Sequence, residues 1–135
     1  MDSRVRSSFS KQTMMQTLGA QLGEVSEGRV VITAPVLPGS RQQHGAAHAA
    51  LTFAIGDSAA GYAALTMLPE GSEVMTAEMK INLLAPATGG SLRATGKVVK
   101  AGRRLVIVTA EVHALNEGSE TLIALLQGTM VPVSP

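Results

Sequence analysis

The sequence predicts an α+β fold: one long helix wrapped by a curved antiparallel sheet of about five or six strands. Three observations lead there. Residues about 46–67 form an Ala-rich run with no proline between Pro38 and Pro69, room for about 30 Å of helix at 1.5 Å per residue. The apolar side chains of that run, among them Leu51, Phe53, Ile55, Tyr62 and Leu65, surround the helix rather than striping it. A helix apolar on every side is normally buried on every side. After Pro69 and Gly71 the apolar period drops from helical to two and stays there to the end of the chain, the mark of half-buried strands. Wrapping a sheet around the helix is the most direct way for 135 residues to satisfy all three.

Ahead of the long helix, residues up to about 18 read as one short helix with Phe9, Met14, Met15 and Leu18 as its apolar contacts. Gly19 stops it, because glycine tolerates the left-handed position after a helix. Two short strands follow, around Gln21–Ser26 and Arg29–Ala34, joined at Glu27-Gly28. Ser40 to Ala46 is a polar loop leading into the helix. Beyond it, Met75, Ala77, Met79, Ile81 and Leu83 alternate with Thr76, Glu78, Lys80 and Asn82. Turns at Thr88-Gly89-Gly90, Ala101-Gly102-Arg103 and Asn116-Glu117-Gly118 separate this strand from three more. Short turns between consecutive strands predict an antiparallel meander of four. Close approach to an Ala-rich helix and the need to cover free sheet edges favour a homodimer, or a dimer of dimers.

Composition narrows the function classes. One domain, 1–135, is the natural reading of this length. Eleven basic against ten acidic residues give a net charge of +1, so no nucleic-acid partner is expected. Aromatics are 2% with no Trp, which argues against base-stacking platforms. With no cysteine there is no disulfide, thiolate nucleophile or zinc ribbon, in keeping with the cytoplasm. The N-terminus lacks the apolar core of a secretory signal. Asp57 and His48 inside the long run argue against a membrane span, since a charge at the bilayer centre costs about 2.5–3.5 kcal/mol.

Asp57 is the lone carboxylate of the apolar helix. Desolvation there raises a carboxyl pKa, and an isolated acid so placed is a functional-site candidate, the alternative being an Asp at the helix surface or one capping a neighbouring backbone group. His44 and His48 have the i, i+4 spacing of metal ligands but lack a third partner, so a hydrogen-bonded loop histidine is the expected reading and no metal is predicted. His113 falls on a strand as a surface or structural residue. No G-x-S-x-G elbow and no phosphate-binding loop occurs. Lys97, Lys100, Arg103 and Arg104 gather around one hairpin, as a solvated face or as a seat for phosphates. Met67 or Met79 is a candidate wall for an adaptable apolar pocket.

The pattern Gln42-x5-His48-x8-Asp57-Ser58-Ala59-Ala60-Gly61 resembles the PaaI-like hotdog-fold acyl-CoA thioesterases. That family carries Gln or Asn in the loop, HGG opening the helix, and an acid nine positions after the His. TAEMKINLLAPA and AGRRL also resemble its later strand and hairpin. The resemblance implies hydrolysis of an acyl-CoA, with no cofactor other than the substrate's own CoA. It implies Asp57 as nucleophile or general base, Gln42 positioning water or thioester, His48 holding the helix start, and the Ala49 N–H polarising the carbonyl. Ser58 and Gly61 beside the acid would line the substrate site, and Arg103 and Arg104 would take CoA phosphates. The chain departs from the family pattern with His48-Ala49-Ala50 for HGG, and with Gly61 where relatives often have Ser or Thr.

Geometry adds one requirement. Nine residues of helix from His48 to Asp57 span about 13 Å and roughly 900° of rotation, so one chain cannot gather both ends at one carbonyl. Two antiparallel helices across a two-fold axis can. The alternative of another class is a non-catalytic acyl-CoA-binding module in which the Ala49 methyl blocks chemistry. A hydratase acting on enoyl-CoA ranks below both, for want of its His motif.

Overall fold

A computed structural model describes residues 2–134; Met1 and Pro135, the ends of the expected 1–135 domain, lie outside the described residues. Helices α1 (Asp2–Ser10) and α2 (Thr13–Leu18) precede a hairpin of β1 (Gln21–Ser26) and β2 (Arg29–Pro35). A 3-10 turn at Pro38–Ser40 leads to the long α3 (Ala49–Leu65), and then to β3 (Glu73–Leu83), β4 (Ser91–Ala101), β5 (Val106–Asn116) and β6 (Ser119–Val133). The six strands make one antiparallel sheet in the order β1-β2-β4-β5-β6-β3.

Helix α3 begins three residues later than expected because His48 is extended and caps it. The His48 Nδ1 accepts the Ala50 N–H at 2.9 Å, which satisfies one orphan donor of the first turn. At the other end Arg4 donates to the carbonyls of Leu65, Leu68 and Pro69 at 2.7, 3.1 and 2.9 Å. A cation on the last carbonyls of a helix is favourable both as hydrogen bonds and toward the dipole. The Thr66 hydroxyl adds a bond to the Ala63 carbonyl and accepts the Gly28 N–H.

The core is the contact between α3 and the inner face of the sheet. Ile55, Ala59, Ala60 and Ala63 are fully buried against strands that contribute Ala94, Val108 and Val112. Gly96 on β4 is what lets them so close, because a Cβ there would overlap the Ala59 carbonyl and the Ala60 nitrogen. The opposite side of the helix's first half is not covered: Ala49, Ala50 and Phe53 are exposed, and Asp57 and Ser58 are half-buried.

Two expectations are corrected. The N-terminal helix is two, because Gln12 is extended (φ −81°, ψ 98°) and spends its side chain on Tyr62 rather than continuing the turn. The meander covers only β4, β5 and β6. Strand β3 pairs with β6 and forms the sheet edge. The segment 84–90 after it is no hairpin. Its backbone is tied elsewhere: the Leu84 N–H to the Ile123 carbonyl (2.7 Å), the Ala87 carbonyl to the Ala47 N–H (3.0 Å), and the Gly90 carbonyl to the Val36 N–H (2.9 Å). These ties carry the chain across to set β4 beside β2. Among the described residues no helix is long and apolar enough to cross a membrane.

Candidate active site

Asp57 sits at the third turn of α3, half-buried, where the helix passes the edge strand. Thr76 of β3 donates its hydroxyl to Asp57 Oδ1 at 2.8 Å, and Oδ2 has no hydrogen-bond partner among the described residues. Burial holds the carboxyl above the usual aspartate range, and the Thr76 bond draws it part of the way back. The site is a cavity of about 260 Å³ lined by Asp57, Ser58, Gly61 and Thr76, with Met130 and Tyr62 further in. Ser58 and Gly61 therefore line it as expected. A Cβ on Gly61 would meet Met130 only at an ordinary 3.7 Å, so the missing side chain leaves usable space.

Thr76 is a site residue to which the sequence does not point. Period-two alternation puts it on the solvent side with Glu78. A bulge in β3 between Thr76 and Glu78 shifts the register, and one extra residue exchanges the faces. Thr76 consequently faces α3 on the same side as Val74, although still exposed, while Met75 on the other side is 61% exposed. The remaining signal was a hydroxyl in a strand following an acid-bearing helix, which alternation outranked.

Thr76→Val keeps the shape and deletes the donor. Since the lost bond lowers the Asp57 pKa, the acid limb of any activity that needs the carboxylate is expected to move to higher pH. A pH–rate profile of the two proteins measures this; coincident acid limbs would show that Thr76 does not hold the carboxylate.

Gln42 and Ala49 line a different cavity, about 450 Å³, with Thr52, Leu83, Leu84 and Ile123. Gln42 Oε1 accepts the His44 N–H, and its own N–H bonds the Ala46 carbonyl at 2.9 Å. The side-chain amide is thus pinned in the loop, with its NH₂ as donor. His48 Nδ1 is occupied as the cap acceptor, so in the neutral ring Nε2 carries the proton. The Ala49 N–H, first in the helix, has no acceptor among the described residues.

Asp57 and Ala49 thus line two separate cavities of one chain. Asp57 and Ala49 are eight residues apart on α3, about 12 Å. Thr76 and Leu83, the β3 residues at each, face Met130 and Ala124 of β6 and so lie six ladder steps apart, about 20 Å. Arg103 and Arg104 are exposed on the β4–β5 turn and belong to neither cavity. They lie at the Asp57 end of the sheet, because β5 starts at Val106 opposite Met130, which in turn faces Thr76. Among the described residues no three His, Cys, Asp or Glu side chains come together. His113 is on the outer sheet face opposite Arg93, with Nδ1 buried and unbonded among the described residues. The methionine at the Asp57 cavity is Met130, not Met67 or Met79.

Comparison with known proteins matches residues 44–121 to the thioesterase superfamily family model. A solved thioesterase family protein from Silicibacter pomeroyi is 38% identical, covers 99% of this chain and 98% of its own, and superposes with a TM-score of 0.97. The PaaI protein of the Escherichia coli phenylacetic acid degradation operon superposes at 0.84 with 22% identity, over 96% of this chain and 90% of its own. A Saccharolobus solfataricus protein that carries an esterase name is 34% identical over 64% of this chain and 55% of that relative. The chain thus spans about half the length of that curated relative. The helix and its six-stranded sheet form a hotdog fold.

Proposed function

Because the chain belongs to the thioesterase superfamily, we propose that it hydrolyses the thioester of a small or medium acyl- or aryl-CoA, in a site completed by a second copy. What supports this reading is that Asp57 and Thr76 line one cavity while Ala49 and Gln42 line another further along α3. Phe53, 37% exposed, stands halfway between Ala49 and Asp57. On the ladder the midpoint of Thr76 and Leu83 falls at Lys80, on the edge strand β3. An antiparallel pairing of two β3 edges about that point sets Thr76 opposite the partner's Leu83. The same two-fold axis brings Asp57 beside the partner's Ala49 and the partner's Gln42. The pairing also covers an eleven-residue edge that would otherwise expose its backbone.

In that site the carbonyl of the thioester accepts the Ala49 N–H at the positive end of α3. Fixed donors aimed at developing negative charge are the strongest contribution in acyl transfer. Asp57, through Oδ2, takes the proton of an attacking water or attacks the carbon itself. The C–S bond breaks, the thiolate leaves as CoA and takes up a proton, and water supplies the acid's new oxygen. Gln42 orients water or thioester, His48 fixes the helix start, and Arg103 and Arg104 receive CoA phosphates, which need cations at the site mouth. No cofactor takes part. A cysteine-free chain fits the reducing cytoplasm as the place of this reaction.

Ala49 permits a clean test. Proline is tolerated at the first helical position and has no N–H, and His48 already has the extended backbone (φ −66°, ψ 144°) that a following proline requires. Ala49→Pro should fold and lose about 10²–10³ in kcat, the scale of one deleted oxyanion donor. Co-expressed with an Asp57→Asn chain, it should regain CoA release that neither variant has alone, because mixed dimers hold one intact site. Absence of rescue in a verified mixed dimer would mean that the two halves do not meet. Tight acyl-CoA binding without CoA release by the native protein would instead favour a binding module.

A further inference from the structure

The cavity beside Ala49 holds a buried hydroxyl that the fold leaves unused. Thr52 lies one turn along α3 from Ala49, lines the same cavity with it and with Gln42, and is 1% exposed. A threonine inside a helix can donate its hydroxyl to the carbonyl three or four residues back. The Thr52 hydroxyl makes no such bond and has no other hydrogen-bond partner among the described residues. Thr66, the other buried threonine, shows the contrast: it donates to the Ala63 carbonyl at 2.7 Å and accepts the Gly28 N–H at 2.8 Å. Across the cavity from Thr52 the side chains are apolar, among them Leu83, Leu84 and Ile123. A hydroxyl desolvated without a partner is costly, and here the partner has to come from outside the chain.

Position decides what that partner is. The Cα–Cβ bonds of a helix tilt toward its N-terminus, so the Thr52 side chain leans back over the first turn, toward the unbonded Ala49 N–H. Three residues separate the two, about 4.5 Å along the axis before that lean. We infer that the Thr52 hydroxyl is the second donor to the thioester carbonyl oxygen, beside the Ala49 N–H, and is therefore a catalytic residue. This rests on the hydrolase reading above. As water or Asp57 attacks the carbonyl carbon, the C=O electron pair moves onto the oxygen. Thr52 keeps its proton and tightens its bond to that oxyanion. The pair returns as the C–S bond breaks and CoA leaves as thiolate. A fixed donor aimed at charge that develops in the reaction stabilises the intermediate more than the ground state. Both donors sit on one helix, so α3 alone sets their spacing, however closely the second copy docks.

The test is Thr52→Val, which keeps the shape and removes the hydroxyl, assayed with hexanoyl-CoA and benzoyl-CoA beside Thr52→Ser. Thr52→Val should lose about 10²–10³ in kcat, the scale of one oxyanion donor, with little change in KM, because the bond matters most in the transition state. Thr52→Ser should keep most of the activity. The valine variant should melt no lower than the native protein, since the hydroxyl it loses bonds nothing in the free chain. A purely structural hydroxyl gives the reverse, a lower melting temperature with kcat unchanged, and that result overturns the inference. A direct readout uses the Asp57→Asn background, in which the thioester outlasts binding. The infrared carbonyl band of bound hexanoyl-CoA should move to higher frequency when Thr52→Val is added, because one hydrogen bond to the oxygen is gone. An unmoved band overturns the inference as well. Failure of the hydrolase reading is distinct: the native protein then releases CoA from neither thioester, and the inference falls with it.

Discussion

Asp57→Asn is expected to abolish CoA release while leaving the protein at least as stable as before. The loss should be about 10²–10⁴ in kcat, the contribution of a positioned general base. The amide oxygen can still accept the Thr76 hydroxyl, so the local packing survives. The stability half follows from the direction of the Asp57 shift. Burial holds its pKa above the unfolded value, so between the two values the native chain binds the extra proton. Native stability therefore falls as pH rises through that window, and the whole cost is carried at neutral pH. Asparagine has no charge to desolvate. Melting temperatures of both proteins across pH 3–8 should converge at the acid end and favour the variant near neutrality. A variant several degrees less stable at neutral pH would mean that the ionised carboxylate is a structural group, and its inactivity would then say little about chemistry.

Gly96→Ala should have the largest effect on the fold. The added methyl would meet the Ala59 carbonyl and the Ala60 nitrogen, and a helix backbone cannot swing aside as a side chain does. Either α3 lifts from β4 or the strand bends. Overpacking costs typically 1–3 kcal/mol; contact with backbone puts this case at about 3 kcal/mol, a fall in melting temperature of roughly 10 °C. Gly90→Ala is the control, since a Cβ there meets nothing within 4 Å, and it should stay within about 0.5 kcal/mol. Thermal unfolding of both decides the matter. Equal melting temperatures would show that α3 does not rest on β4 as closely as described.

Much of this was legible in the sequence because two periodicities carry it. An apolar run without a stripe marked α3, alternation marked the strands, and a single acid in the run marked Asp57. The separation of Ala49 from Asp57 along α3 followed from the rise per residue alone. What stayed hidden was set by contacts distant in sequence. Thr76 faces Asp57 only because of a bulge, which alternation cannot register. The break between α1 and α2 depends on Gln12 meeting Tyr62, fifty residues away. The place of β3 depends on backbone ties made by residues 84–90, and a turn-like Thr88-Gly89-Gly90 reads as a hairpin until those ties are known. The uncovered stripe of Ala49, Ala50 and Phe53 was obscured by the same uniform apolarity that revealed the helix.

The burial of Tyr62 has an optical consequence. The chain has one tyrosine and no tryptophan, so its near-ultraviolet absorption and intrinsic emission above the phenylalanine band come from this one phenol. That phenol lines the Asp57 cavity and is hydrogen-bonded by Ser8 and Gln12. Emission excited in the tyrosine band thus reports on a single place in the molecule, with no other chromophore of its kind to subtract. A ligand entering the cavity, or the N-terminal helices leaving it, changes the environment of the only group being observed, without any label.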